Sequence, residues 1–336
     1  MDKKNICIIG DGGWGTTLGI LLSGKGCSVT LWGAFPDYIE MVRSARQNIK
    51  FLPGVKLPDG FKLTSDLEDA LRNKDIVILA VPSQYMRAVL MMLKMENLDG
   101  KVLVSVAKGI ENTTLKRMSE VIDEILGPRQ VAVLSGPTIA LEVVNGVPTT
   151  AVIASKDRGL ASELQGLFMT ERFRIYTNDD VIGVELGGSL KNIIAIASGT
   201  LDALGFGTNS KAALLTRGIV EMARLGTAMG ATRDTFYGLS GLGDLTTTCT
   251  SQYSRNRWFG EEIGRGRKMK DIVKETEMVV EGVATARSAY DLSKKYKVDM
   301  PITTEIYRVL YENKDPKQAI RDLMTRPSKT EIEYLS

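Results

Sequence analysis

The sequence predicts two domains of different class: an α/β domain built on a doubly wound parallel sheet over residues 1–180, then an all-α domain over residues 181–336. Three observations predict it. A short apolar run at 5–9 (NICII) leads at once into a G-x-G-x-x-G turn, Gly10, Gly12 and Gly15, and then into a helical segment. Strand-like runs alternate with helical ones as far as residue 177, the pattern of a sheet covered on both faces. Past residue 180 strand signals stop, and long segments with a 3.6-residue period take over.

Taken in order, the three glycines suit a tight turn, the approach of a pyrophosphate to the backbone and the packing of a helix on a strand, as in a Rossmann domain. The helix that follows offers free N–H groups and the positive end of its dipole to phosphates. A second strand is expected at 28–32 (SVTLW), where an acid at the end reads the ribose hydroxyls and an arginine accommodates a 2'-phosphate. Here the residues are Gly33, Ala34, Phe35, Pro36 and Asp37, with no base before Arg43, which leans toward NAD over NADP. Further strands at 75–81, 101–107 and 131–134 run into Pro82-Ser83, Lys108-Gly109 and Ser135-Gly136-Pro137. Two more strand-like runs, 149–154 and 172–177, flank a helix at 160–169. Ligands of such sheets sit beyond the carboxyl ends of the strands. Pro82, Lys108 and Gly136 to Thr138 fall on that rim, and Lys108 is the candidate there for gripping an anionic substrate, set against a plain solvated loop lysine.

The helical domain opens with residues 181–205, a long Gly/Ala-rich apolar run that reads as a buried helix yet contains Glu185, Lys191 and Asn192. A buried ammonium is costly unless it is paired or its pKa falls. Lys191 is therefore half of an internal ion pair or a group poised for proton transfer, unless it snorkels to the surface. Gly187 and Gly188, one turn earlier, imply close approach of another backbone or of a flat ligand. Helices follow at 210–229, 281–296, 303–311 and 316–324. Between them, residues 237–256 are Gly/Ser/Thr-rich and read as a functional or mobile loop carrying Asp244, Thr248, Arg255 and Asn256. Ser254 can cap a helix starting at Arg255, aiming backbone N–H groups and a guanidinium at one point, as a phosphate site requires.

Composition narrows the chemistry. The 336 residues are 43% hydrophobic and 25% charged with a net charge of +3, giving no sign of a nucleic-acid partner or of membrane insertion. Three scattered cysteines argue against a disulfide framework or a zinc site and for a cytoplasmic protein. Histidine is absent, which removes the commonest acid/base, serine triads and most metal sites; a proton must ride on Lys, Asp, Glu, Tyr or Cys. Tyr290-x-x-x-Lys294 imitates a short-chain dehydrogenase pair but lies on an ordinary amphipathic segment, and Cys249 has only a carboxylate or a lysine to serve as its base.

Several stretches together resemble the cytoplasmic NAD(P)-dependent glycerol-3-phosphate dehydrogenases: GDGGWGT from Gly10, LAVPSQ from Leu79, AKGIE from Ala107, LSGPTIALEV from Leu134, VELGGSLKNIIAIASG from Val184, GLGDLTTTCTSQYSRNR from Gly241 and VVEGVATA from Val279. The resemblance implies a C-terminal domain like that of 6-phosphogluconate dehydrogenase and interconversion of dihydroxyacetone phosphate with sn-glycerol 3-phosphate, feeding glycerophospholipid synthesis. It implies Lys191 as proton donor and acceptor. Lys108, Gly136, Thr138, Asn192, Asp244, Thr248, Ser254, Arg255 and Asn256 would contact substrate. Gly10, Gly12, Gly13, Trp14 and Gly15 would hold the cofactor phosphates, with Phe35, Pro82, Lys108, Ala140, Arg255, Val279 and Glu281 also near the dinucleotide. Gly13 and Thr138 stand where bacterial members commonly have Ser, and Ala34-Phe35 replaces a usual basic pair. A homodimer is expected from apolar stripes on the helical domain. The residues by themselves leave open a 2-hydroxy or keto acid reductase of like architecture, such as a ketopantoate reductase or an opine-forming enzyme, and a non-catalytic NAD(P) sensor.

Overall fold

The computed structural model describes residues 3–276 and 278–331. Its first part alternates β1 (Asn5–Ile9), α1 (Gly13–Gly24), β2 (Ser28–Trp32), α2 (Pro36–Ala45), β3 (Lys62–Thr64), α3 (Leu67–Leu71), β4 (Ile76–Leu79) and α4 (Met86–Leu93). It continues through β5 (Val102–Ser105), α5 (Met118–Leu126), β6 (Val131–Ser135), α6 (Ala140–Val144), β7 (Thr149–Ala154), α7 (Arg158–Phe168) and β8 (Phe173–Asn178). The strands form one eight-stranded sheet in the order β3-β2-β1-β4-β5-β6-β7-β8. Ile6 and Ile8 pack into the core on one face while Cys7 and Ile9 pack into that on the other, so strands buried on both faces read as unbroken apolar runs.

The sheet is mostly, not wholly, parallel. β7 pairs antiparallel with β6 and parallel with β8. Between Ser135 and Thr149 the chain holds only the five-residue α6, which stays beside α1 through a bond from Thr17 Oγ1 to the carbonyl of Ala140. Without a helix long enough to cross back over the sheet, the chain re-enters it in the opposite direction.

The second part comprises α8 (Val181–Ala203), α9 (Thr208–Ala228), α10 (Asp244–Thr250), α11 (Arg255–Gly264), α12 (Met269–Glu275), α13 (Glu281–Lys295), α14 (Pro301–Tyr311) and α15 (Pro316–Met324). Asp180 starts α8 by accepting the N–H of Gly183, and Gly205, at φ +75°, closes it. By length and mean hydropathy α8 could cross a bilayer, but 89% of its apolar window is buried inside the protein. It is the hub on which α9, α10, α11, α13 and α14 pack.

Small residues set how close the hub's neighbours come. A Cβ on Gly199 of α8 would collide with the carbonyl of Arg257, and one on Gly260 of α11 with the carbonyl of Ile196. The two helices therefore meet backbone to backbone. Gly260→Ala is expected to lower stability by about 1–3 kcal/mol by forcing them apart. Thermal unfolding checks it, and an unchanged midpoint would sink the packing argument.

The expected loop at 237–256 is largely helical: a π-type turn at Leu239–Gly243, then α10 and the start of α11. Its threonines are poor helix formers, but burial of Asp244, Leu245, Thr248 and Cys249 on one side of α10 outweighs that preference.

Candidate active site

The carboxyl ends of β4, β5 and β6 meet the middle of α8 and the starts of α10, α11 and α13. Lys191, 6% exposed, sends its Nζ from α8 to Asp244 Oδ1 at 2.9 Å and Thr248 Oγ1 at 2.5 Å, both on α10. The other oxygen of Asp244 accepts from Lys108 Nζ at 2.8 Å, just past β5. Lys108 also donates to the carbonyl of Gly136 at 2.9 Å and reaches Thr138 Oγ1 at 3.4 Å, past β6. One buried carboxylate thus bridges two ammonium groups. Burial pulls the Lys191 pKa down to about 8, against the upward pull of Asp244, and Lys108 adds to the lowering. A lysine with its pKa there can both give and take a proton at working pH.

Asn192, next on α8, accepts from Asn256 Nδ2 at 2.8 Å, and Asn256 Oδ1 accepts the N–H of Gly282 at 2.9 Å, which ties α8 to the starts of α11 and α13. Ser254 caps α11, its Oγ accepting the N–H of Arg257. Arg255, the first residue of that helix, is half-buried with no hydrogen-bond or ion-pair partner among the described residues, and burial lowers its pKa. An unpaired guanidinium at a helix start is a ready anion holder. Lys108, Lys191 and Arg255 against Asp244 leave an excess of positive charge here, which suits a phosphorylated substrate.

The glycine turn joins the same rim. Gly10, at φ +118°, is so close to β4 that a Cβ would lie 2.7 Å from the carbonyl of Ala80. From the end of β4, Ser83 donates its N–H to Glu281 Oε1 at 2.8 Å and its hydroxyl to Oε2 at 2.5 Å, clasping α13 to the sheet. Gly12 precedes α1 and gives it no side-chain cap, the first turn holds no acid, and nothing lies within 4 Å of a Cβ placed on Gly12. Trp14, the second residue of α1, packs its ring edge-on against Phe173 of β8, 6.4 Å between centres. Uncapped N–H groups and open space over Gly12 fit a dinucleotide pyrophosphate.

Of the residues named from sequence, Lys108, Gly136, Thr138, Lys191, Asn192, Asp244, Thr248 and Asn256 form one contiguous network. Gly187 and Gly188 are explained by close approach: a Cβ would lie 2.7 Å from the carbonyl of Ser240 and 2.6 Å from Ser135 Oγ, respectively. Gly13 lies under the carbonyl of Phe51, 2.5 Å from where a Cβ would sit, so the serine usual there would need that loop to move. Gly15 packs against the carbonyl of Gly10, and Ala140 sits beside α1. Pro82 precedes Ser83 on the rim. Phe35 is 70% exposed and Val279 37% exposed, and their apolar side chains make no polar contact, so only position connects them to the turn. Ser83 was not singled out from sequence, although its place after Pro82 at a strand end was the available signal. The two decoys fall away: burial pushes the Cys249 thiol up to about 12, and Tyr290 stacks on Tyr307 with Lys294 3.9 Å from its ring centre.

A glycine turn at the mouth of a Rossmann sheet, a buried lysine with its pKa lowered to about 8 and a guanidinium without a partner among the described residues are the parts of a dinucleotide-dependent dehydrogenase for an anionic substrate. More particularly, the chain belongs to the NAD-dependent glycerol-3-phosphate dehydrogenase family, whose N-terminal part matches residues 5–161 and C-terminal part residues 180–321. It is 48% identical over 332 residues to the glycerol-3-phosphate dehydrogenase [NAD(P)+] of Chlorobium phaeobacteroides (strain BS1), covering 98% of this chain and 99% of that one. It is 49% identical over 332 residues to the enzyme of the same name from Geobacter sulfurreducens, again covering 98% and 99%. The crystal structure of glycerol-3-phosphate dehydrogenase from Coxiella burnetii superposes with a TM-score of 0.93 at 37% identity, covering 96% of this chain and 99% of that one. The chain is accordingly an NAD(P)-dependent oxidoreductase, and the Rossmann sheet followed by a helical domain is the fold its sequence predicts.

Proposed function

We propose that this chain interconverts dihydroxyacetone phosphate and sn-glycerol 3-phosphate, with Lys191 as the proton carrier and Arg255 as the phosphate holder, and with the domain division at residue 180. The observation that carries the reading is the Lys191–Asp244–Lys108 bridge, with Arg255, without a partner among the described residues, next in the chain to the Asn256 that bonds Asn192. When bound, the nicotinamide supplies or accepts the hydride at substrate C2. The Lys191 ammonium protonates the C2 oxygen in reduction, and the neutral amine takes that proton in oxidation. Asp244 fixes the direction of the amine, and Lys108 with Thr138 lines the approach from the sheet. Arg255, the N–H groups of α11 and Asn256 seat the phosphate and thereby place C2. Ser254 acts through the helix start it caps. Glu281, held by Ser83, and Gly136 shape the wall between turn and lysine, while Gly10, Gly12, Gly13, Trp14, Gly15, Phe35, Pro82, Ala140 and Val279 border the dinucleotide.

Preference for NAD over NADP is supported by the end of β2, which carries no base; Arg43 is engaged with Glu40 and the Leu63 carbonyl, and Arg46 with the Pro58 carbonyl. The reading places the enzyme in the cytoplasm, which its three free cysteines support, as a supplier of glycerol 3-phosphate for phospholipid synthesis. It takes a homodimer as the assembly, and burial of α8 supports a protein not inserted in a membrane.

Arg255→Ala tests the phosphate role. KM for dihydroxyacetone phosphate is expected to rise about 100-fold with a smaller change in kcat, as loss of a charge-assisted pair predicts. Activity toward unphosphorylated dihydroxyacetone should stay as it was. Equal losses on the two substrates would remove Arg255 from that role.

A further inference from the structure

The end of β2 lacks the acid that ordinarily reads the adenosine ribose, yet an acid lies against it from another element. Asp11 occupies the first variable position of the glycine turn, between Gly10 and Gly12. Its own carbonyl accepts from Asn48 Nδ2 at 2.7 Å, which fixes the turn. Its Oδ2 is buried without a hydrogen-bond partner among the described residues, 2.6 Å from where a Cβ on Gly33 would sit. Gly33 is the first residue past β2, so its missing side chain makes the room that the carboxylate fills.

We propose that Asp11 is the specificity-determining residue for the cofactor: its carboxylate accepts the adenosine ribose 2'-hydroxyl and excludes a 2'-phosphate. The inference rests on the NAD preference proposed above. A buried acceptor left unsatisfied is destabilising, and its retention points to a donor that arrives with a ligand. The residue is partly exposed, and the terminal torsion of Asp is soft, so an oxygen turns toward the ribose at small cost. A 2'-phosphate would instead set a dianion against a carboxylate whose pKa burial already raises. Lys50 lies close enough to offset part of that charge, while Arg43 and Arg46 are engaged elsewhere. The acid role has therefore moved from the strand end to the turn opposite it, which accounts for a glycine turn beginning Gly-Asp-Gly followed by a strand ending in Gly-Ala-Phe.

The test is binding without turnover. NADH, NADPH and 2'-deoxy-NADH are titrated against the wild-type chain, Asp11→Asn and Asp11→Ala, following nicotinamide fluorescence, with circular dichroism as the folding control. The wild type is expected to bind NADH at least about tenfold more tightly than NADPH or 2'-deoxy-NADH, the worth of one charge-assisted bond. Asp11→Ala should bring the three ligands within about threefold of one another, with Asp11→Asn intermediate. A wild type that favours NADH while both variants keep its NADH-to-NADPH ratio overturns the role of Asp11. A wild type that favours NADPH overturns the NAD reading itself. Should the variants not fold, wild-type binding decides: equal affinity for NADH and 2'-deoxy-NADH overturns the proposal.

Discussion

Replacing Lys191 with alanine is expected to lower turnover in both directions by about 1,000-fold or more, because one group supplies both proton transfer and stabilisation of the developing alkoxide. NADH affinity should change little, since the Lys191 amine bonds Asp244 and Thr248 and takes no part in the glycine turn or the start of α1. The fold should survive as well: Asp244 keeps Lys108 at 2.8 Å, so no carboxylate is left alone in the interior. Single-turnover measurements separate the chemical step from binding. Partial recovery on adding a small primary amine would place the loss at the amine itself. A variant retaining a tenth of wild-type turnover would remove Lys191 from its proposed role.

The same residue sets the pH behaviour. With its pKa at about 8, Lys191 is the ammonium below that pH and the amine above it. Reduction requires the ammonium, so its kcat should be level at low pH and fall as pH rises through about 8. Oxidation requires the amine and should rise through the same pH. Profiles that break at a shared pH in opposite senses are the expected result, and parallel profiles would argue for another proton carrier.

How much of this was legible in the sequence differs from element to element. β1, the glycine turn and α1 were readable because turn chemistry is local: the positive φ of Gly10 and the close packing of Gly15 each demand glycine whatever surrounds them. α8 was readable because a long apolar run with isolated charges allows few explanations. Glu185 then proved to be held by Arg117 and by the N–H and hydroxyl of Ser119 at the start of α5. α10 was not readable, since its helical state depends on what Leu245 and Cys249 bury against, and run composition carries no trace of that. The reversal of β7 was equally hidden, because strand direction follows from where α6 docks and not from the pattern of β7. The three-residue edge strand β3 is too short to show a period. At the site, residue types pointed to Lys191, Lys108 and Arg255. The clasp of Ser83 on Glu281 joins residues 198 positions apart and needed the fold.

Asp244 is where catalysis and stability meet, and its exchange for asparagine should disturb both. The residue is 2% exposed and its two oxygens face two ammonium groups. Asparagine keeps the shape but leaves Lys191 and Lys108 facing each other without a counter-charge, and removing one partner of a buried pair costs about 3–5 kcal/mol. The melting temperature should fall accordingly. Asp244 also opposes the burial that lowers the Lys191 pKa, while Lys108 acts with burial. Once the carboxylate is neutralised, burial and Lys108 lose their chief opponent, so the break in the reduction profile should move below the wild-type value of about 8. Reduction at pH 7 should therefore be slowed and partly regained on acidification, whereas oxidation should become active at lower pH than in the wild type. Charge regulation and simple misfolding are thereby separated, since misfolding alone lowers both directions at every pH. An unmoved break in a folded Asp244→Asn enzyme would mean that Asp244 does not govern the charge of Lys191.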